Sequence, residues 1–405
     1  MSRNLHRPLE LQELIALDEE VCGAPDPRLW EHVNEHAYAF STEGEVEIER
    51  IDDRGGHVLR PTRPLYPGLP LEGEEEAVGR CVVRNHSERI EARQRRLDRL
   101  VASPHAAAGT EGFCPDSIPV AYLPKVVPTR SREVGMSARG GRVVLSDGTV
   151  LTKQGDAHSL IINGESRSPL RPTHYPYTTV CKLELWTRPG PGGAWAYAGS
   201  YATGFLIGRR TLLTSGHVFA GATGGMASIK VIPACWANRP VFGLGLVTWV
   251  QRRKRWHSDS GNDLQLCQLR DPVGDQLGYL GYQQYHPEWE GRSVWTMAGF
   301  PFDQSQFAMS VEHGIAVKDD DDGDDIELDG HTYDSTQIEN TADEASGASG
   351  SPLFAWFGQG DVRAIGVHSG YEKDWTAGGY ETWSCSAGGK ALAAIGHWGR
   401  SNWDA

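Results

Sequence analysis

The stretch ASGASGSP at residues 345–352 holds three serines and two glycines. A segment this rich in Gly and Ser is typical of a flexible linker. Apolar runs follow it, however: PLFAWF at residues 352–357 and RAIGVHSG at residues 363–370. Because a linker does not normally open a buried strand, we interpret the stretch as a tight turn that could expose a reactive serine.

Short apolar runs separated by turn residues extend outward from this turn over the chain from residue 175 onward. Many short strands at close spacing predict a mainly β fold, a barrel or a sandwich. The 48 glycines and 13 tryptophans favour the same class. The predicted strands contain TVCKLELW, GFLIG, TLLTSG, IKVIP, DLQLCQL, SVWTMAGF, SPLFAWF and RAIGVHS. The run GGKALAAIGHWGR at residues 388–400 predicts a closing helix.

Residues 1–160 have a different character, with helical patterns between Pro- and Gly-rich segments. Helices are predicted over 8–22, 27–40 and 85–101, because each has an apolar stripe or start and stop signals. We therefore predict a partly helical N-terminal extension, residues 1–160, acting as a regulatory or pro-region. The main domain is predicted at residues 161–405.

Composition restricts the partners. The formal net charge of −14 argues against a nucleic-acid partner, which needs a basic face. No stretch is apolar enough to span a bilayer, and the N-terminus lacks the apolar segment of a signal peptide. We expect a cytoplasmic protein without a membrane partner, a secreted one being less favoured. The seven cysteines, without a CxxC pair, predict reduced thiols and neither disulfides nor a zinc site.

Three segments supply a nucleophile, a base and an orienting carboxylate. LLTSGHVF contains His217, GNDLQLCQL contains Asp263, and GASGSPLF contains Ser349 on its glycine-flanked turn. A serine becomes a strong nucleophile when a histidine takes its proton, and the histidine needs a carboxylate to fix its tautomer. The same turn presents the backbone N–H groups of Gly347 and Ser349 where a tetrahedral oxyanion would form. The order His, Asp, Ser, with gaps of 46 (217 to 263) and 86 (263 to 349) residues, is more specific than any one motif.

With these landmarks, the chain from Pro172 to the C-terminus resembles the chymotrypsin-fold serine endopeptidases, and most closely the bacterial glutamyl endopeptidases of the staphylococcal type. YPYTTVCKLEL, TGFLIGRRTLLTSGHVF, IKVIP, GYLGY, AGFPFD, SGASGSPLF and AIGVHSG occur in the family's order. The resemblance implies two perpendicular six-stranded β-barrels with the site between them. It also implies that residues 161–405 are a trypsin-like protease domain acting on protein or peptide substrates, without a metal or organic cofactor.

The resemblance assigns roles to individual residues. His217 is the general base, Asp263 the orienting residue and Ser349 the nucleophile, with Gly347 and Ser349 as oxyanion donors. Ser369 is expected beside the triad carboxylate, and the strand His368–Gly370 is expected to pair with the substrate backbone. The alternative is a protease-fold binding module without activity. The complete triad argues against it, because degenerate members typically lose His or Ser.

One departure concerns activation. Animal enzymes of this fold carry Asp just before the nucleophile, where it receives the new N-terminus after cleavage. Here the position is Ala348, so that switch cannot operate in the same form. IINGES at residues 161–166 resembles a processed N-terminus, and its alternative is a plain link between two regions. An activating protease or regulator that removes or displaces residues 1–160 would then unmask the cleft.

A second departure concerns the P1 pocket, where two predictions compete. His368 matches the histidine with which glutamyl enzymes hold an acidic P1 side chain. Asp343 and Glu344, six and five residues before Ser349, would instead repel a P1 glutamate and attract Arg or Lys. Physically we favour a basic P1 residue, with an acidic one left open. His368 could also neutralise Asp343 or Glu344, and Tyr371 stands where a glycine often keeps the pocket open.

The run DDDDGDD at Asp319–Asp325 suggests a calcium loop. Aligning Gly323 with the EF-hand glycine places Lys318 at the first ligand position, so that motif does not fit. We predict a solvated surface loop, and no metal in the active site. Binding of Ca²⁺ by the run in another geometry is left open.

Overall fold

The structure is a computed structural model. It describes residues 7–21, 46–50, 57–61, 72–73, 109–123, 142–144, 150–152, 160, 162, 166–190, 192–220, 227–303, 308–376 and 379–404. Among the described residues, no helix is both long enough and apolar enough to cross a membrane. The helices predicted over 27–40 and 85–101 lie outside the described residues.

The first large sheet is a closed barrel of six strands with one short parallel strand added. It closes because its first and last strands also pair with each other. In ladder order the strands are β11 (Ala227–Pro233), β8 (Val180–Thr187), β9 (Ala196–Leu206), β10 (Thr211–Thr214), β15 (Leu264–Leu269) and β14 (Thr248–Trp256), with β3 (Glu72–Gly73) beside β14. The mainly β class and the closed six-stranded barrel are thus confirmed.

The second large sheet has ten strands, more than the six implied for a second barrel. Its main path runs through β19 (Val317–Asp322), β22 (Ser335–Asn340), β25 (Gly379–Gly388), β24 (Asp361–Thr376), β23 (Pro352–Gly358), β17 (Trp295–Gly299), β18 (Met309–Ile315) and β7 (Ser168–Leu170). β16 (Gly281–Gln283) pairs with β24 and with β4 (Gly109–Thr110). The strands β4 and β7 come from chain that precedes the first barrel, so matching of the later motifs could not predict them.

The remaining described elements are short hairpins and helices. Two-stranded pairs join β1 (Val46–Arg50) to β2 (His57–Pro61), β5 (Arg142–Val144) to β6 (Val150–Thr152), β12 (Cys235–Trp236) to β13 (Arg239–Pro240), and β20 (Ile326–Leu328) to β21 (His331–Tyr333). The helices are α1 (Leu11–Val21), α2 (Gly274–Leu277) and α3 (Gly389–Trp403), with 3₁₀ turns at Tyr177–Thr179, Leu244–Leu246 and Pro287–Trp289. The first and last helices fulfil their predictions. The five described cysteines are all free.

Two N-terminal segments, residues 7–21 and 109–123, pack into the same core as the second sheet. Leu14 on α1 is fully buried, and the backbone N–H of Leu9 donates to the carbonyl of Trp356 over 2.7 Å. The hydroxyl of Tyr122 accepts from the N–H of Gly360 over 3.2 Å. A domain boundary at residue 160 remains a prediction, but these segments before it share the core of the second sheet.

The buried contact of α1 gives a stability prediction. Replacing Leu14, with 0% exposure, by alanine leaves a cavity in this core. The free energy of unfolding should fall by about 2–5 kcal/mol. Leu11→Ala is the matched control on the same helix, because Leu11 is 46% exposed, and its effect should stay within about 0.5 kcal/mol. Urea denaturation measures both, and equal effects would show that α1 does not dock as described.

The acidic run is not the surface loop predicted from sequence. Asp319–Asp322 belong to β19, which pairs with β22 in register from Val317↔Asn340 to Asp322↔Thr336. Asp320 is only 5% exposed. Backbone pairing with β22 overrides the low β propensity of aspartate, and the buried Val317 anchors the strand.

Candidate active site

The pairing of β10 with β15 brings the predicted histidine and aspartate together. Their antiparallel register aligns Leu213 with Leu266 and Thr214 with Gln265. Consequently the end of β10, three residues before His217, lies beside the start of β15, which directly follows Asp263. Burial of the apolar strand residues therefore fixes the positions of both functional side chains.

His217 and Asp263 share two contacts. The ring Nδ1 of His217 lies 2.6 Å from Oδ2 of Asp263, and its backbone N–H donates to Oδ1 over 2.7 Å. The aspartate side chain is fully buried, whereas the histidine side chain is 35% exposed. Since a carboxylate only accepts, Nδ1 carries the proton and Nε2 is left to accept one. This is the tautomer that a general base requires.

The pKa values of the pair follow from its charges. Burial by itself favours the neutral acid at Asp263, but the charges and hydrogen bonds of His217 and His257 outweigh it and hold the pKa well below its ordinary value. Burial lowers the pKa of His217, but the charge and hydrogen bond of Asp263, with a smaller contribution from Glu344, raise it overall. Asp263 therefore stays ionised, and His217 titrates above its ordinary value.

Ser349 completes the line of contacts. Its Oγ lies 3.0 Å from Nε2 of His217. The carbonyl of Ser349 accepts from the N–H of Thr203 over 2.9 Å, which ties the turn to β9 of the barrel. Gly350, the next residue, has φ +89°, and a Cβ there would lie 2.0 Å from the carbonyl oxygen of Thr203. The glycine is required because the turn approaches the barrel too closely for a side chain.

The N–H of Gly347 is held in a defined orientation. The preceding carbonyl, of Ser346, accepts from the N–H of Phe302 over 2.7 Å. In a trans peptide the N–H points opposite to the carbonyl, so the N–H of Gly347 faces away from Phe302. The carbonyl of Gly347 accepts from Oγ1 of Thr203 over 2.8 Å. This turn thus keeps a backbone donor in a fixed direction two residues from Ser349.

Ser369 also lies where the resemblance implies. Its hydroxyl donates to Oδ2 of Asp263 over 2.5 Å. It sits at an irregularity in the β24–β25 register, between His368 and Gly370, and both Ser369 and Gly370 are partly exposed. The backbone N–H of His368 donates to Ser351 and its carbonyl accepts from Gly350, each over 2.8 Å. One strand therefore supports the triad carboxylate and the nucleophile turn together.

The carboxylate of Asp343 accepts hydrogen bonds from residues further upstream in the chain. Its Oδ1 accepts from the N–H of Ile162 over 2.7 Å, and Oδ2 accepts from the N–H and hydroxyl of Ser166 over 2.9 and 3.0 Å. Glu312 accepts from the N–H of Asp343 and from the Ser166 hydroxyl, each over 2.7 Å. Burial raises the pKa of Glu312 to about 7, and the Asp343 charge adds to this. The carboxylate favoured for binding a basic P1 residue is thus surrounded by the protein's own donors.

Glu344 and His368 form a buried pair. Oε2 of Glu344 lies 2.7 Å from Nε2 of His368, and their side chains are only 6% and 1% exposed. The other ring nitrogen of His368 lies 3.3 Å from the Ser384 hydroxyl. A contact between His368 and one of the two carboxylates, Glu344, is therefore present; that His368 neutralises Asp343 or Glu344 stays a prediction.

Two contributors to the site were missed from the sequence. Nδ1 of His257 lies 2.9 Å from Oδ1 of Asp263. Thr203, fully buried, contacts both Gly347 and Ser349 as described above. No signal marks Thr203, which lies within an ordinary strand. For His257 the signal is weak: it directly follows β14 and lies six residues before Asp263, so a short turn could bring the two together.

Two groups of carboxylates could in principle hold a cation. In Glu290, Asp319 and Asp320, and again in Asp321, Glu339 and Glu372, one oxygen from each residue lies within 4.8 Å of the others. Acidic groups cluster on many protein surfaces without an ion. Neither group contains His217, Asp263 or Ser349, so neither belongs to the candidate active site.

Comparisons with known proteins gave a match to a family model and several similar solved structures. Residues 187–382 match the family model described as Trypsin. One similar solved structure is a Glu endopeptidase in complex with MPD, at 17% identity and a TM-score of 0.41, covering 60% of this chain and 100% of that one. Another is the active form of the Rv3671c protease from M. tuberculosis, at 15% identity and a TM-score of 0.34, covering 60% and 91%. No protein of curated function matches the chain in sequence.

Proposed function

We propose that the protein is a working serine endopeptidase that uses His217, Asp263 and Ser349, in keeping with the match of residues 187–382 to the Trypsin family model. One observation carries the proposal: the unbroken line from the Asp263 carboxylate through the imidazole to the serine hydroxyl, with contacts of 2.6 and 3.0 Å. These are the distances that proton transfer between a nucleophile and its base requires.

The proposed mechanism is acyl transfer in two steps. Oγ of Ser349 attacks the peptide carbonyl while Nε2 of His217 takes its proton, and Asp263 stabilises the imidazolium that forms. The N–H groups of Gly347 and Ser349 donate to the oxyanion. His217 then protonates the departing amine. In the second step His217 takes a proton from water, whose oxygen attacks the acyl-enzyme. The bond from the acyl carbon to Oγ then breaks, and His217 returns the proton to Oγ of Ser349.

For the P1 residue, we infer that Arg or Lys is accepted and Glu is rejected. Asp343 accepts from the backbone N–H groups of Ile162 and Ser166, so Glu344 is the carboxylate left to act on the pocket. His368 already faces that carboxylate at 2.7 Å, so a P1 glutamate would bring a second negative charge to the same imidazole. Like charges brought together in this way cost several kcal/mol.

Charge removal at Glu344 tests this inference. In Glu344→Gln the volume is kept but the carboxylate is lost, so the kcat/KM ratio of P1-Arg to P1-Glu peptides should fall at least about tenfold. Asp343→Asn is the matched control, the same charge change one residue away. This variant should be less stable, because the amide nitrogen that replaces one carboxylate oxygen cannot accept the hydrogen bond from Ile162 or from Ser166. The P1-Arg to P1-Glu ratio should stay unchanged. If the ratio instead falls only in Asp343→Asn, Asp343 binds the P1 residue.

Chain segments that precede the first barrel contact the nucleophile turn and the core of the second sheet. Ile162 and Ser166 donate to Asp343, six residues before the nucleophile, and Arg167 forms a buried ion pair of 2.7 Å with Asp303. Loss of residues 1–160 would also take Leu14 and Tyr122 out of the core. We therefore propose that these segments support the active form, and that any regulator acts while they stay attached.

Hydrolysis of a peptide library with varied P1 residues tests the enzyme proposal itself. The full-length protein should cleave it, and a His217→Ala variant should not, since it lacks the base. If the full-length protein binds peptides but leaves all of them intact, the inactive binding module becomes the better interpretation.

A further inference from the structure

Asp263 is contacted by a second histidine, which the mechanism above does not use. Nδ1 of His257 lies 2.9 Å from Oδ1, and its ring centroid is 5.7 Å from that of His217. The contact is a close approach and not a well-aligned hydrogen bond, and Nδ1 has no other hydrogen-bond partner among the described residues. The side chain is 19% exposed.

The contact determines where the proton of His257 sits. A carboxylate oxygen can only accept, so a ring nitrogen 2.9 Å away must carry a hydrogen. Oδ1 then faces two donors, the N–H of His217 and Nδ1–H of His257, while Oδ2 faces Nδ1–H of His217 and the Ser369 hydroxyl. Three hydrogen bonds and the close approach of His257 hold the carboxylate in one rotation about its own axis.

The chain holds His257 rigidly against this carboxylate. Asn262 accepts from the N–H groups of Ser258 and Asp259 over 2.8 and 3.2 Å, and Asp259 accepts from those of Gly261 and Asn262, each over 2.9 Å. These bonds close the turn between His257 and Asp263. On the other side, a Cβ on Gly216 would lie 1.9 Å from the carbonyl oxygen of Trp256. The backbone just before His217 therefore packs directly against the end of β14, where His257 follows.

We propose that His257 is a positioning residue of the triad: with Nδ1–H facing Oδ1 at 2.9 Å, it favours the rotation of Asp263 that aims Oδ2 at His217. The role rests on the proposed function, since it acts only through the triad. The second donor also draws negative charge away from His217, so it keeps the imidazole from becoming too basic to work near neutral pH.

The charged groups around His257 come from several elements. His217 and Asp263 face it across the contacts given above. Asp259, on its own turn, directs its carboxylate to backbone N–H groups, including that of Asp324 from the loop after β19. Glu344 acts on His217 from the nucleophile turn. A shift of the pH–rate profile on substitution of His257 therefore reports a change in the pKa of His217, which these neighbouring groups also influence.

Two substitutions separate positioning from packing. In His257→Leu the donor is lost, so kcat should fall about ten- to a hundredfold with KM unchanged. The ascending limb of kcat/KM against pH should move upward by roughly half a unit, because His217 gains basicity. In His257→Asn the amide nitrogen occupies about the place of Nδ1, so most of kcat and the original limb should return. His331→Leu, an exposed histidine on β21, serves as the surface control.

The outcomes test the proposed protease function and the positioning role of His257 separately. If the wild type neither cleaves peptides nor reacts with an organophosphonate, the proposed function is wrong. If the wild type does both and His257→Leu matches it in kcat and pH limb, His257 has no positioning role. Equal losses in the Leu and Asn variants would indicate packing alone.

A measurement on the wild type removes dependence on the folding of either variant. In ¹⁵N-histidine-labelled protein, with the His257 signal assigned from the Asn variant or by its coupling to neighbours, Nδ1 of His257 should stay protonated while His217 titrates. An unprotonated Nδ1 would overturn the proposal.

Discussion

Ser349→Ala is expected to lower kcat for peptide hydrolysis by about 10⁶-fold, the loss typical when a triad nucleophile is removed. The alanine lacks the Oγ that lies 3.0 Å from Nε2 of His217, so no acyl-enzyme can form. KM should change little, because the hydroxyl contributes little to substrate binding. The fold should persist, since the backbone bond from Thr203 to the carbonyl of residue 349 does not involve the side chain.

Ser346→Ala is the matched control for this prediction. Ser346 lies on the same glycine-rich turn and is exposed, and its structural contact, with Phe302, uses its backbone carbonyl. Activity within about twofold of the wild type is expected, as for ordinary surface substitutions. Steady-state hydrolysis of one peptide substrate measures both variants. Loss of activity in Ser346→Ala with retention in Ser349→Ala would mean that the wrong serine has been assigned.

Asp263→Asn is expected to lower kcat by about 10⁴-fold. An amide N–H₂ in the place of Oδ2 would point a hydrogen at Nδ1 of His217, now 2.6 Å away. The imidazole would then adopt the other tautomer, with its proton on Nε2, and could not accept from Ser349. His217 would also lose the charge that raises its pKa, so the ascending limb of the pH–rate profile should shift to lower pH.

Asp259→Asn is the control for that change. It neutralises a carboxylate on the turn that leads to Asp263, where Asp259 accepts from the backbone of Gly261 and Asn262. Asparagine keeps an acceptor oxygen for such turns, so kcat should fall by less than about tenfold. A comparable loss in both variants would mean that disturbance of the turn, and not the tautomer of His217, explains the effect.

The strands and candidate site residues that depend on local residue patterns could be predicted from the sequence. Short apolar runs bounded by turn residues predicted β8, β10 and β15, and most residues of these strands are buried. The residues His217, Asp263 and Ser349 could be selected because each follows or precedes such a run at a turn. The strand pairing that brings them together then follows from burial of the runs.

The parts that were missed depend on contacts between distant segments. Asp343 receives backbone N–H groups from a segment 181 residues upstream, and any residue type except proline can supply such a donor. The acidic run became a strand because β22 offered a backbone partner, which no local propensity reveals. The ten-stranded second sheet likewise gains β4 and β7 from chain that carries no strand motif.

Reaction of the full-length protein with an organophosphonate tests the central claim most directly. The probe phosphonylates a serine whose proton is taken by a neighbouring base, whatever peptide the enzyme prefers. After digestion, mass spectrometry should find one adduct, on Ser349, and the His217→Ala variant should form none. Absence of an adduct on the wild type, or an adduct on another residue that persists in His217→Ala, would contradict a Ser349–His217–Asp263 active site.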